Sequence, residues 1–159
     1  MSCDVAVAAY LFLASASPSG APPVQTAVAE APRSVASEPL FADIIKRASE
    51  LKSEVEAYRA GPDLKALPAA KPLPRFDRFS ADITELSQLD LKGHMELAAR
   101  GTDGDLKCIL RGISYDLPVK LKELTQAPTG AAQDEALRDM AYLLNDNVEV
   151  ITAPEAPPA

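Results

Sequence analysis

The placement of proline limits this chain more than any other feature. Most of its fourteen prolines gather at residues 18–39, 62–74 and 154–158. Proline fixes φ and lacks a backbone N–H, so these stretches are excluded from regular helix and from central strands. What remains is one helix-compatible segment near residues 38–60 and a block from about 77 to 151. In a chain of 159 residues this is room for a single domain. A core of that size is only marginally stabilising, so a partner or a second copy could supply further burial.

The first segment has clear helix signals. Ser37 is placed to cap the N-terminus, Pro39 falls in the first turn where its missing N–H is harmless, and Gly61-Pro62 stops the helix. Phe41, Ile44, Ala48, Leu51, Val55 and Tyr58 follow a 3-4-3-4-3 spacing, the seam of a heptad, and Ile45 widens the stripe. Asp43 with Arg47 and Lys52 with Glu56 are i,i+4 pairs that support the solvated face. The apolar stripe must be buried against the rest of the chain or against a second copy. Under three heptads is short for an isolated coiled coil, which favours intramolecular packing and leaves homo-oligomerisation as the other route.

The rest of the chain also reads as helical. Residues 61–76 form a Pro-rich linker, expected to run extended over the surface. A second helix is expected from Ser80, carrying Ile83, Leu86 and Leu89, weakened at Gly93 with room for a break near Asp90, and capped by Gly101. Asp103 is placed to cap a third helix with Leu106, Ile109, Leu110 and Ile113 on one face; Pro118 then forces a kink or restart before Leu121 and Leu124. After Pro128-Thr129-Gly130 a last helix shows Leu137, Met140, Ala141, Leu144 and Val148 on one face. Val148 to Ile151 is β-branched, but a lone strand leaves its own backbone unsatisfied. The expected fold is all-α: a small bundle of four to five helices, residues 37–60 and 77–151, between disordered Ala/Pro-rich ends at 1–36 and 152–159.

Composition narrows the function classes. A net charge of −7 repels phosphate backbones, so no nucleic-acid partner is expected. No run of 18 apolar residues suggests an integral membrane span. Val5 to Ala14 has the length of a signal-peptide core and is followed by Ala14-Ser15-Ala16, yet Met1-Ser2-Cys3-Asp4 lacks the positive charge of such a leader; this favours a cytoplasmic over an exported chain. Cys3 and Cys108 provide no disulfide framework, and Cys108, within Leu106 to Leu110, reads as a small buried hydrophobe.

Catalytic constellations are absent: there is no G-x-S-x-G, no Gly-rich phosphate loop, no H-E-x-x-H and no C-x-x-C, so no cofactor or metal is expected. Leu91-Lys92-Gly93-His94-Met95 resembles a histidine-phosphotransfer helix, but that family places Lys-Gly after the histidine; a partly exposed structural His94 is the simpler reading. Ile113-Ser114-Tyr115-Asp116-Leu117-Pro118 resembles the phosphoacceptor box of sensor-kinase dimerisation hairpins with Tyr115 in place of the histidine. Gln88-Leu89-Asp90-Leu91 resembles the short peptide by which bacterial replication proteins bind the sliding clamp, with Lys92 where an aromatic belongs; core packing accounts for the same leucines. Gly101 to Asp105 lacks the ligand spacing of an EF-hand, and first-turn Asp complementing the helix dipole explains it.

These readings point to a non-catalytic regulatory or structural adaptor acting on a protein partner through amphipathic helices. Its candidate contact residues are Phe41, Ile44, Leu51, Val55, Tyr58, Gln88, Leu89 and Leu91. The rival expectation is an exported envelope protein holding a small apolar ligand among Leu110, Ile113, Leu121 and Leu144.

Overall fold

The computed structural model describes residues 34–61, 63–101 and 104–153. Four α-helices account for nearly all of them: α1 (Pro39–Arg59), α2 (Phe76–Arg100), α3 (Gly104–Gln126) and α4 (Gly130–Thr152), with short 3-10 turns at Val35–Ser37 and Leu64–Ala66. No strand occurs among the described residues, and Val148 to Ile151 belongs to α4. The helices form a ring in which α1 packs on α2 and α4, and α3 packs on α2 and α4. Among the described residues, no helix is long and apolar enough to cross a membrane. The expected end segments at 1–33 and 154–159 lie outside the described residues.

The first stripe goes inward. Phe41, Ile44, Ala48, Leu51 and Val55 are buried with Ile83, Leu86, Leu97, Leu110, Leu117, Leu137, Met140 and Leu144 in one core. Fully burying one such side chain contributes about 1.5–3 kcal/mol, so the heptad seam of α1 is used within the chain.

Local details depart from the sequence expectation for identifiable reasons. Glu38, rather than Ser37, occupies the N-cap of α1 and makes no side-chain cap bond. Its carboxylate instead takes two bonds from Arg100, at 2.9 and 2.7 Å, tying the start of α1 to the end of α2. α2 begins at Phe76, one turn before Ser80, behind Arg75 in the left-handed region at φ 56°. Aromatic packing explains the early start: Tyr58 meets Phe79 edge-on at 5.3 Å and Phe76 lies 6.3 Å from Phe79. α2 then runs unbroken through Gly93. A Cβ at Gly93 would lie 3.2 Å from Leu110 and 3.3 Å from Phe41, so glycine here admits close helix packing.

α3 likewise continues through Pro118 without restarting. A proline at 118 leaves the carbonyl of Ser114 without its usual i+4 donor. The Ser87 hydroxyl of α2 donates to that carbonyl at 2.7 Å, in a fully buried contact. The neighbouring helix thereby supplies the bond that proline removes, which is why the helix does not break.

The Pro-rich linker is part of the body. Leu64 is buried, the backbone N–H of Gly130 donates to Leu67 O at 3.2 Å, and Gln133 pairs with both backbone groups of Lys71 at 2.9 and 2.6 Å. Asp134 holds Arg59 at 3.0 Å and Lys65 at 3.7 Å. A Cβ on Gly130 would collide with the Leu64 carbonyl, so only glycine lets the chain cross there.

Candidate interaction face

The residues singled out for partner contact divide sharply. Phe41, Ile44, Leu51 and Val55 are core and present no surface in the folded domain, which corrects their reading as contact residues. Tyr58 is half-buried, its single hydroxyl proton facing two acceptors, a Glu54 carboxylate oxygen and the Pro74 carbonyl, each at 2.8 Å. Leu89 is half-buried, whereas Gln88 and Leu91 face solvent.

The clamp-like peptide is set into a continuous helix with its Asp90 fully buried, so it cannot peel away as an extended ligand. Asp90 reaches diagonally across the bundle to Asn147 of α4, whose Nδ2 donates to both carboxylate oxygens at 3.0 and 2.9 Å. Burial raises the Asp90 carboxyl to about 7 against the opposing effect of the Asn147 bonds. Asn147 Oδ1 is buried and has no partner. With Asp90 inaccessible to solvent, this carboxyl is a structural group and offers no surface for chemistry.

His94 is half-buried and its Nδ1 lies 2.7 Å from the Lys107 carbonyl, a donor position that staples α2 to α3. This fits the structural reading of the histidine. Cys108, expected to be a buried free thiol, is half-buried and is not a free thiol. Asp103 lies outside the described residues.

The pocket envisaged for an apolar ligand is filled: Leu110, Ile113 and Leu144 are core and Leu121 packs against them. Clefts lie elsewhere. One of about 330 Å³ between α1 and α2 is walled by Asp43, Lys46, Arg47, Glu50, Arg75 and Asp82 among others. There Arg47 pairs with Asp43 and Glu85, both at 3.0 Å, and Arg78 with Asp82 at 3.5 Å, so the cleft largely neutralises itself. A second, of about 400 Å³, lies between the linker and the ends of α2, α3 and α4, beside Leu73, Phe76 and Leu124. Among the described residues, no group of three or more His, Cys, Asp or Glu side chains is placed to hold a metal ion.

The exposed large apolar side chains are unevenly spread. Leu91, Met95, Ile109, Tyr115 and Val119 lie on α2 and α3, with Tyr142 on α4 and none on α1. The seam between α2 and α3 is fixed by Ser87 with Ser114 and by His94 with Lys107, contacts that run in opposite directions along the two helices. At 3.6 residues per turn, Thr84, Gln88, Leu91, Met95 and Ala98 form a stripe turned roughly 70° outward from Ser87 and His94. Lys107, Arg111, Tyr115, Pro118 and Lys122 form the matching stripe on α3. Met95 is 63% and Tyr115 57% exposed, and the Arg111 guanidinium lies 5.8 Å from the Tyr115 ring. The residues that resemble a phosphoacceptor box therefore supply two exposed residues, Tyr115 and Pro118, to this face.

Sequence reasoning missed Met95, Tyr115 and Val119 as surface residues and placed Ile109 in the core, although it is 38% exposed. A signal was present. Leu91 and Met95 fall off the spacing of Ile83, Leu86 and Leu97, so one helix carries two apolar stripes and only one can point inward. Comparison with protein-family models, with curated proteins and with solved structures finds nothing that matches this chain.

Proposed function

We propose that the chain is a non-catalytic interaction module that binds a protein partner on the outer face of α2 and α3. The observation that carries this reading is the exposure of Leu91, Met95, Tyr115 and Val119 along one antiparallel helix pair. Clustered apolar side chains in a polar surround are the usual mark of an interaction site. Helix faces of this type take amphipathic partner segments in grooves.

A photo-crosslinking residue introduced in place of Met95 or Tyr115, with Tyr142 as the control position, tests the face in cells. The expected result is one identified protein adduct from both α2–α3 positions, lost on Leu91→Asp and absent from the Tyr142 position. Equal labelling from all three positions, or adduct formation insensitive to Leu91→Asp, refutes the proposed face.

A further inference from the structure

The two stripes of this face differ in charge. From Thr84 to Ala98 the α2 stripe holds no charged residue, whereas the α3 stripe carries Lys107, Arg111 and Lys122. α3 has one further cation, Lys120 on its other side, and this is held by Glu123 at 2.9 Å and Asp139 at 3.1 Å. Lys107, Arg111 and Lys122 form no ion pair among the described residues. In a chain of net charge −7, three cations beside the exposed apolar side chains thus have no ion-pair partner among the described residues.

We infer that the outer face of α2 and α3 receives an acidic amphipathic helix of a partner protein, its apolar stripe on Leu91, Met95 and Tyr115 and its carboxylates towards Lys107, Arg111 and Lys122. This rests on the interaction face proposed above and adds the chemistry of the occupant. The basic stripe spans 15 residue steps of α3, which at 1.5 Å each is about 23 Å, the length of about four helical turns. Opposed charges of this kind set orientation and partner choice more than raw affinity.

The other occupants fit less well. A second copy buries the apolar stripes of its own helices in its core and has no free amphipathic helix among the described residues to donate. An anionic membrane would attract three cations and repel the rest of an acidic chain.

The test uses the full chain with three probes: a designed peptide of about 18 residues with a Leu stripe flanked by Glu, its Lys-flanked counterpart, and vesicles containing phosphatidylglycerol. Titration calorimetry is expected to give binding of the Glu peptide at least about tenfold tighter than the Lys peptide. Amide shifts in NMR are expected along residues 84–98 and 107–122. Arg111→Gln with Lys122→Gln should remove that preference, and Arg111→Glu with Lys122→Glu should invert it. Equal binding of both peptides, shifts on another face, or binding to vesicles alone overturns the inference. If crosslinking at Met95 succeeds while the Glu peptide fails, the face stands and the acidic-helix assignment falls.

Discussion

Two buried polar contacts lie within one turn of each other on α2, and they are built in opposite ways. Ser87 meets Ser114 in a neutral bond of 2.7 Å that satisfies a carbonyl orphaned by Pro118. Asp90 meets Asn147 as a carboxyl against an amide, leaving one amide oxygen unpartnered. The first contact repairs a defect in the backbone ladder of α3. The second introduces a group that water solvates far better than a protein core does. Their difference teaches that burial alone does not decide what a polar residue contributes; what matters is whether its partner completes it in the protonation state that holds.

The strongest way to break this comparison is through pH. Burial raises Asp90 in the folded chain to about 7 from an ordinary value of 3.8, so between those values the folded chain binds more protons than the unfolded one. Stability attributable to Asp90 therefore falls as pH rises from about 4 through about 7, by about 4 kcal/mol on the scale of 1.36 kcal/mol per unit. Asp90→Asn is expected to raise stability at pH 8 by up to that amount and to flatten the profile, as read by urea unfolding at pH 5 and 8. A variant no more stable than wild type at pH 8 would show that the carboxyl is solvated or paired when ionised.

A smaller effect is expected at the serine contact. Ser87→Ala strands the Ser114 carbonyl and should cost about 1–3 kcal/mol, with no dependence on pH between 5 and 8. The finest test is the double-mutant cycle with Pro118→Ala. An alanine at 118 restores an N–H to the Ser114 carbonyl, so Ser87→Ala in that background should cost less than about 0.5 kcal/mol. Additivity of the two substitutions would mean that Ser87 is not compensating for proline.

The sequence made some of this legible. The stripes of α1 and α4 read correctly because their spacing depends only on residues within one helix, and Phe41, Leu51, Leu137 and Leu144 are buried as expected. The features that could not be read are those whose cause lies on another helix. Pro118 looks like a break because its remedy is Ser87, on another helix and 27 positions from the Ser114 carbonyl it satisfies. Gly93 looks like a weakness because the side chains that need its space, Phe41 and Leu110, belong to α1 and α3. Glu38 sits at the N-cap of α1 without capping it because its carboxylate is held by Arg100, at the end of another helix. The α2–α3 face was half visible: Gln88 and Leu91 were named from a motif, whereas Met95 and Tyr115 required knowing which of two stripes faces inward.

The connector between α1 and α2 bears on how copies of the chain can associate. Bundles with a long connection can exchange a terminal helix between molecules, since the same contacts form in either arrangement. Here the connector is fastened along its path by Gln133 on Lys71, Gly130 against Leu67 and Asp134 on Arg59 and Lys65. Exchange of α1 would have to release these attachments to α4 before any could re-form, so the barrier to swapping is set by the fastening of the connector as well as by the core.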